Sequence, residues 1–432
     1  MPQSALLLGS GFVATPAVEV LSKAGVHVTV ACRTLASAKN LAGTFDNTKA
    51  VSLDVNDSAA LEKAVSEHDI TISLIPYTFH AAVIKAAIKA KKNVVTTSYV
   101  SPAMEELHEE AKAAGITVLN EIGVDPGVDH LYAVDFIDRI QQEGGKIKLQ
   151  QPPSWSSRGV LLALKNNAKY YEDNKLVDIS GVDLMSTAQP YHSGYLGFNF
   201  VAYGNRDSTG YRERYRIPDA ETVVRGTMRY NGFPQFVKAL VDIGFLSTDD
   251  QDFFKQSIPW KDALQKFIGA NSSSEEDLTK AVLSKTSFKD ESVKNQVLAG
   301  LKWIGVFSDV KTTPRGTALD TLCASLEQKM AYEKGERDIV FLQHTFEVIN
   351  KDGSQNTWTS TLVEYGAPEG SGGFSAMSRL VGVPCGVATK MVLDGTITDK
   401  GVVAPVYPSL ARTLMNELKN NYGIECKEKI IA

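Results

Sequence analysis

The sequence predicts an α/β protein: a doubly wound, Rossmann-like parallel sheet, followed by a sheet domain split by a helical one. Three observations predict it. Short apolar runs alternate with helical patterns from Ala5 to Asn120. Gly9-Ser10-Gly11-Phe12-Val13-Ala14 matches G-x-G-x-x-A at the first strand-to-helix turn. The hydrophobic period then stays helical through the middle of the chain and returns to two between Val340 and Leu362.

Taken in order, Ala5–Leu8 is a short apolar strand. Val13–Leu21 is the helix after the glycines, with Pro16 tolerated in its first turn. His27–Ala31, Ala50–Leu53, Ile70–Ile75, Asn93–Thr97 and Ile116–Asn120 are the next strands. Helical patterns at Ala59–Glu67, Phe79–Ala90 and Pro102–Ala114 lie between them. Such alternation builds a parallel sheet covered on both faces, and right-handed crossovers wind it twice. Gly127–Gly144 reads as helix and Lys146–Leu149 as a short strand. Phe236–Gly244, Asp262–Ile268, Ser274–Ser284 and Ser292–Trp303 are successive helices, with Ser274 as an N-cap before three acids. Ala318, Leu319, Leu322, Leu326 and Met330 form a helical apolar stripe. Val340, Leu342, His344, Phe346 and Val348 alternate, Asp352-Gly353 offers a turn, and Trp358, Ser360 and Leu362 alternate again. That is a β-hairpin.

At roughly 150 residues per domain, 432 residues suit about two to three domains. With 43% hydrophobic and 22% charged residues the chain is globular rather than disordered. A net charge of −5 without a basic run excludes nucleic acid and anionic membrane as expected partners. The longest stretch free of Asp, Glu, Lys and Arg, Leu184–Asn205, is broken by polar residues, so no membrane span is expected. No basic segment precedes the first apolar run, which predicts no secretory signal. Cys32, Cys323, Cys385 and Cys426 are scattered, which predicts reduced thiols in a cytoplasmic protein. No cysteine or histidine pair has metal-ligand spacing, and no metal is expected.

The glycine motif carries the first chemistry. Gly9 permits a tight turn, Gly11 lets backbone approach a pyrophosphate, and Ala14 packs helix on strand. The helix start offers free N–H groups and a positive dipole end. An NAD site usually has an acid at the end of the second strand, but here the chain reads Ala31-Cys32-Arg33-Thr34. Arg33 can pair a 2′-phosphate with its planar fork, and Thr34 can add a hydroxyl, which favours NADP(H). In open parallel sheets, ligands lie beyond the carboxyl ends of the strands, which here places Thr97, Ser98, Tyr99 and Asp125. Pro126 fits a first helical turn, so Asp125 also reads as a plain N-cap. Among Arg206, Arg212, Arg214, Arg216, Arg225 and Arg229, most read as salt-bridged surface, and one or two as clamps for substrate carboxylates.

Several blocks together resemble one family. They are Leu8–Val13, Thr29–Thr34, Ser73–His80, Ser98–Ala103, Asn120–Gly127, Ser154–Gly159, Asn205–Thr209, Arg225–Arg229, Lys311–Gly316 and Tyr422–Lys429. Across nearly the whole chain they look like the fungal saccharopine reductases, the NADP-dependent, L-glutamate-forming saccharopine dehydrogenases. The resemblance implies an oxidoreductase of the α-aminoadipate route to lysine. L-glutamate condenses with α-aminoadipate semialdehyde, and the imine is reversibly reduced to saccharopine at the expense of NADPH. It implies a Rossmann domain (1–130 with 395–432) and a mixed α/β domain for substrate binding and homodimer formation (131–230 with 335–394). An all-helical domain (231–334) is inserted into the latter.

Carried over by position, the resemblance places Ser10, Gly11, Phe12, Val13, Cys32, Arg33, Thr34, Asp54, Val55, Ile75, Thr97, Ser98, Val124, Asp125, Pro126 and Ser156 at the cofactor. It places Ser98, Tyr99, Asp125, Arg206, Thr227, Met228 and Arg229 at the substrate. Asp125 and Tyr99 are the catalytic candidates, orienting substrate and relaying protons. Two features depart from the family. Between Lys148 and Ser154 only Leu149–Pro153 remains, where the family has a longer segment with a cysteine and paired glycines. Tyr191–Tyr195 replaces a more apolar turn. The short link keeps an alternative open: a nucleotide-binding homologue of weak or no activity, or another NADP-linked semialdehyde or amino-acid dehydrogenase.

Overall fold

The structure is a computed structural model and describes residues 2–151 and 167–432. These form two compact units, one of Met1–Lys148, Arg212–Asp219 and Lys334–Ala432, the other of Leu149–Tyr211 and Ala220–Glu333.

In the first unit, β1 (Ser4–Leu8), β2 (His27–Cys32), β3 (Thr48–Ser52), β4 (Ile70–Ser73), β5 (Asn93–Thr96) and β6 (Thr117–Leu119) make a parallel sheet. Its order is β3-β2-β1-β4-β5-β6, and Gly401–Val403 adds a parallel strand beyond β6. The order reverses between β1 and β4, which opens a crevice beyond their carboxyl ends. Ala5, Leu6, Leu7 and Leu8 are all buried, as a central strand covered on both faces requires.

The long helix Ala376–Leu393 lies on helix Ala14–Lys23 of the same unit. A Cβ on Gly382 would sit 2.5 Å from the Val13 carbonyl oxygen, and one on Gly386 3.0 Å from that of Ala17. Bare glycines let these backbones approach, and this apolar helix is a core helix. Helix Val128–Gln142 packs on the hairpin Ile339–Ile349 and Gln355–Tyr365. There Phe136 stacks on Phe346 at 4.3 Å and meets Trp358 edge-on at 5.6 Å. The hairpin forms as expected, with Leu342, His344, Phe346 and Val348 buried and His344 opposite Ser360, but Gln343, Thr359 and Thr361 are buried too, so its middle is covered on both faces. Lys427–Ile430 pairs antiparallel with its second arm.

The second unit holds the hairpin Ala168–Glu172 and Lys175–Ile179. A three-stranded antiparallel sheet follows, from Gln189–Tyr191, Phe200–Gly204 and Gly226–Tyr230. Helices Phe233–Ile243, Trp260–Ile268, Glu275–Lys285, Glu291–Ile304 and Ala318–Lys329 enclose Phe245, Phe254, Trp260, Leu264 and Leu301. Ser274 caps the third of these, its hydroxyl accepting the Asp277 N–H at 3.2 Å.

Some local expectations change. A helix at Leu35–Ala42 joins β2 to β3, and Pro102–Ala114 breaks into Pro102–Glu105 and His108–Ala113. The stripe of the last helix ends at Leu326; Met330 lies past Lys329 and is 64% exposed. Of the short link, only Leu149–Gln151 is described, as the end of β7 (Lys146–Gln151).

Candidate functional site

The turn after β1 is built for close backbone approach. Gly9 has φ +105°, and a Cβ there would lie 2.8 Å from the Leu74 carbonyl oxygen, so only glycine fits. The Gly9 N–H donates to the Ala31 carbonyl at 2.9 Å, holding the turn beside β2. Gly11 faces open space, with nothing within 4 Å of its missing Cβ. The helix starts at Ala14, and Gly11 and Phe12 ahead of it are exposed. A pyrophosphate fits such a cradle: open space at the second glycine and free N–H groups at a helix start.

The end of β2 lies beside this turn. Ser10 Oγ donates to Cys32 Sγ at 3.5 Å, and Cys32 Sγ to the Thr34 carbonyl at 3.1 Å. Arg33 and Thr34 are exposed, and no hydrogen bond among the described residues holds the Arg33 guanidinium. Asp54 lies close enough to feel the Arg33 charge. The Asn56 backbone and side-chain N–H groups, and more weakly Arg33, hold its carboxyl below the usual range. Val55 and Ile75 are half-buried nearby in the sequence of strand ends. These groups fit a phosphorylated adenosine, because a solvent-facing guanidinium beside the glycine turn can grip a 2′-phosphate.

Beyond β5 and β6 the structure joins two more of the expected residues. Tyr99 Oη donates to Asp125 Oδ1 at 2.8 Å. Asp125 is not the helix cap its position suggests. The helix begins at Val128 with Gly127 as cap residue, and the Gly127 N–H donates to Asp129 Oδ1 at 2.6 Å. A Cβ on Gly127 would fall 2.0 Å from the Gly123 carbonyl oxygen, so this loop folds only around glycine. Ser98 Oγ bonds His80 Nε2 at 2.8 Å, while His80 Nδ1 bonds Ser73 Oγ at 2.8 Å. Burial pushes His80 down to about 4, so its ring is neutral near pH 7.

Sequence reasoning missed His80 and a second cluster. Glu121, 1% exposed, accepts the Val100 N–H at 3.0 Å on Oε1. Its Oε2 accepts His130 Nε2 at 2.7 Å and Arg214 Nη2 at 2.8 Å. His130 Nδ1 bonds Tyr215 Oη at 2.7 Å. Burial alone would raise the Glu121 carboxyl. The hydrogen bond and charge of His130, the Arg214 charge and the Val100 N–H together hold it at about 2. An acid directly after an apolar strand was the available signal.

Arg206, Thr227, Met228 and Arg229 stand in the second unit. Arg206 has φ +56°, and its carbonyl accepts the Lys169 N–H at 2.8 Å. Thr227 and Met228 are buried on the strand Gly226–Tyr230. Arg229 donates Nη1 to the Met228 carbonyl at 2.8 Å, and its guanidinium lies 5.5 Å from the Phe233 ring centre. Burial draws its pKa down, and no carboxylate among the described residues pairs with it. A half-buried cation with no counter-ion among the described residues has the chemistry to take a carboxylate. Of the arginines expected at the surface, Arg216 is exposed, whereas Arg225 is buried against Tyr211 and Arg214 holds Glu121. Ser156 lies outside the described residues.

Two family models match the chain: the saccharopine dehydrogenase NADP binding domain over residues 5–119, and the saccharopine dehydrogenase C-terminal domain over residues 123–424. The chain is 59% identical to saccharopine dehydrogenase (NADP(+), L-glutamate-forming) of Pyricularia oryzae over 448 aligned positions, covering 100% of this chain and 99% of that relative. It is 52% identical to the Saccharomyces cerevisiae protein of the same name over 451 positions, covering 100% of both. Both alignments exceed the 432 residues here, so each relative carries residues without a counterpart in this chain. Among solved structures, apo saccharopine dehydrogenase (L-Glu forming) from Saccharomyces cerevisiae superposes with a TM-score of 0.90 at 52% identity, covering 100% of both chains.

Proposed function

The chain belongs to the saccharopine dehydrogenase family, and we infer from that premise an NADP-dependent, L-glutamate-forming saccharopine dehydrogenase of lysine biosynthesis. The observation that carries this is likeness at 52% identity or more along the whole length of fungal enzymes of that name. In the oxidative direction saccharopine loses a hydride from the methylene carbon on its secondary amine, the carbon that becomes the aldehyde, and a proton from nitrogen. Water adds to the resulting imine, the C–N bond breaks, and L-glutamate and α-aminoadipate semialdehyde leave. NADP(H), when bound, accepts or supplies the hydride.

The residues of this chain do the rest. The Gly9–Val13 turn and Arg33 hold the nucleotide by its phosphates. Arg229 and Arg206 take substrate carboxylates, and Thr227 and Met228, on the strand that carries Arg229, line the substrate beside them. The Tyr99–Asp125 hydrogen bond pairs a proton donor and acceptor beyond the strand ends, on the side where a nucleotide held by the glycine turn would lie. The four cysteines are free thiols, three of them buried, which supports a cytoplasmic location. The three-domain division and the homodimer follow the family resemblance, and sedimentation of the purified chain tests the latter. The decisive assay is saccharopine-dependent formation of NADPH from NADP+. Turnover with NADP+ and saccharopine is expected; NADPH binding without any such turnover would overturn the activity.

A further inference from the structure

Tyr99 is pinned on both sides by a single residue. The carbonyl of Ser98, in the peptide before Tyr99, accepts the Glu121 N–H at 3.1 Å. The N–H of Val100, in the peptide after Tyr99, donates to Glu121 Oε1 at 3.0 Å. Glu121 reaches both because its backbone is left-handed, with φ +61°, which turns its side chain back toward the loop it bonds. That conformation is unusual for a residue with a Cβ, and it persists only where surrounding bonds over-determine it. His130 on the helix Val128–Gln142 and Arg214 on the segment Arg212–Asp219 supply them, both on Oε2. Tyr215, next to Arg214, holds the other ring nitrogen of His130.

We propose that Glu121 is a positioning residue for the reaction: through the two peptides flanking Tyr99 it fixes the phenol against Asp125, and His130 and Arg214 fix Glu121. This rests on the saccharopine dehydrogenase activity inferred above. The carboxylate is needed because three donors converge on it, from Val100, His130 and Arg214. Glutamine has the same shape but one oxygen, so its amide N–H would face either Val100 on one side or His130 and Arg214 on the other. Either way one donor meets another donor, and the hold on the 98–100 backbone loosens. A small displacement of a reacting group costs on the order of a hundredfold in rate.

The test is a double-mutant cycle with saccharopine and NADP+, beside NADPH binding measured separately. Glu121→Gln is expected to lower kcat about tenfold to a hundredfold, to leave the NADPH Kd within about twofold, and to shift the pH profile of kcat. In a Tyr99→Phe background the same change is expected to cost almost nothing, since the group it positions is gone. Arg214→Gln removes one donor at a half-exposed position and is expected to give a weaker version of both results; it serves if Glu121→Gln does not fold. Equal losses in the presence and absence of the Tyr99 hydroxyl would overturn the role. If Tyr99→Phe has no measurable turnover, the pH profile decides: a shifted profile in Glu121→Gln supports the role and an unshifted one overturns it. A wild type that binds NADPH but never oxidises saccharopine overturns the activity, and this role with it.

Discussion

Lowering the pH from 7 to 5 is expected to destabilise the nucleotide-binding unit through His80. This ring is 1% exposed, lies between Ser73, Thr96 and Ser98, and titrates at about 4 instead of 6.5. The folded state therefore resists protonation where the unfolded chain accepts it. Stability from the neutral ring is complete above pH 6.5 and is lost as the pH falls toward 4. At pH 5 the unfolded ring is almost fully charged and the folded ring almost fully neutral. Linkage then gives a loss of about 2 kcal/mol at pH 5, rising to about 3 kcal/mol at pH 4. For a unit of this size that is a fall in Tm of about 4–8 °C at pH 5 beyond whatever the other groups contribute. His80→Gln keeps a donor and an acceptor for the flanking hydroxyls but cannot titrate, so it should lack this share of the acid loss. Thermal unfolding of wild type and variant at both pH values measures the difference. Ring resonances of the seven histidines, with His80 assigned by its absence in the variant, measure the titration directly. A His80 ring that titrates near 6.5, or identical acid losses in both proteins, would refute the reasoning.

Five other outcomes follow. Arg33→Asp should weaken NADPH about tenfold to a hundredfold and spare NADH, because a charge-assisted phosphate contact is worth about 1.5–3 kcal/mol; fluorescence titration with both nucleotides checks it. Arg229→Ala should raise the KM for saccharopine with NADPH binding intact, whereas exposed Arg216→Ala should change both little; similar effects from the two would remove Arg229 from the site. Gly11→Ala should change stability by less than about 0.5 kcal/mol, since its Cβ meets nothing, yet weaken NADPH. Gly382→Ala, with its Cβ 2.5 Å from the Val13 oxygen, should cost about 1–3 kcal/mol of stability by denaturant unfolding. Insertion between Lys148 and Ser154 of the longer segment that the family resemblance implies should raise kcat for saccharopine with the NADPH Kd unchanged; equal kcat would show the short link to be sufficient.

Short-range pattern was enough for much of this protein. The glycine turn, the strand–helix alternation, Arg33 in place of an acid, and the hairpin around Asp352-Gly353 all depend on residues close together in sequence. Each is set by a local period, a steric permission or a fixed offset, and each stands where the sequence puts it. Other features depend on partners far along the chain. Ala376–Leu393 contains Gly382, Pro384 and Gly386, which locally argue against a helix; it forms because those glycines let it bury its length against Ala14–Lys23. Asp125 looks like a cap from its neighbour Pro126, but a hydroxyl 26 residues away takes its carboxylate, and the helix starts later around Gly127. Glu121 and His80 gave no periodic signal at all. Arg214, 93 residues from Glu121, and Ser98, 18 from His80, turn a buried acid and a buried imidazole into holders of the Ser98–Val100 loop. Sequence determines which groups are available and what local backbone they favour. The pairing of buried polar groups is decided by the tertiary fold, because desolvation makes each of them bond whichever partner the packing brings within reach.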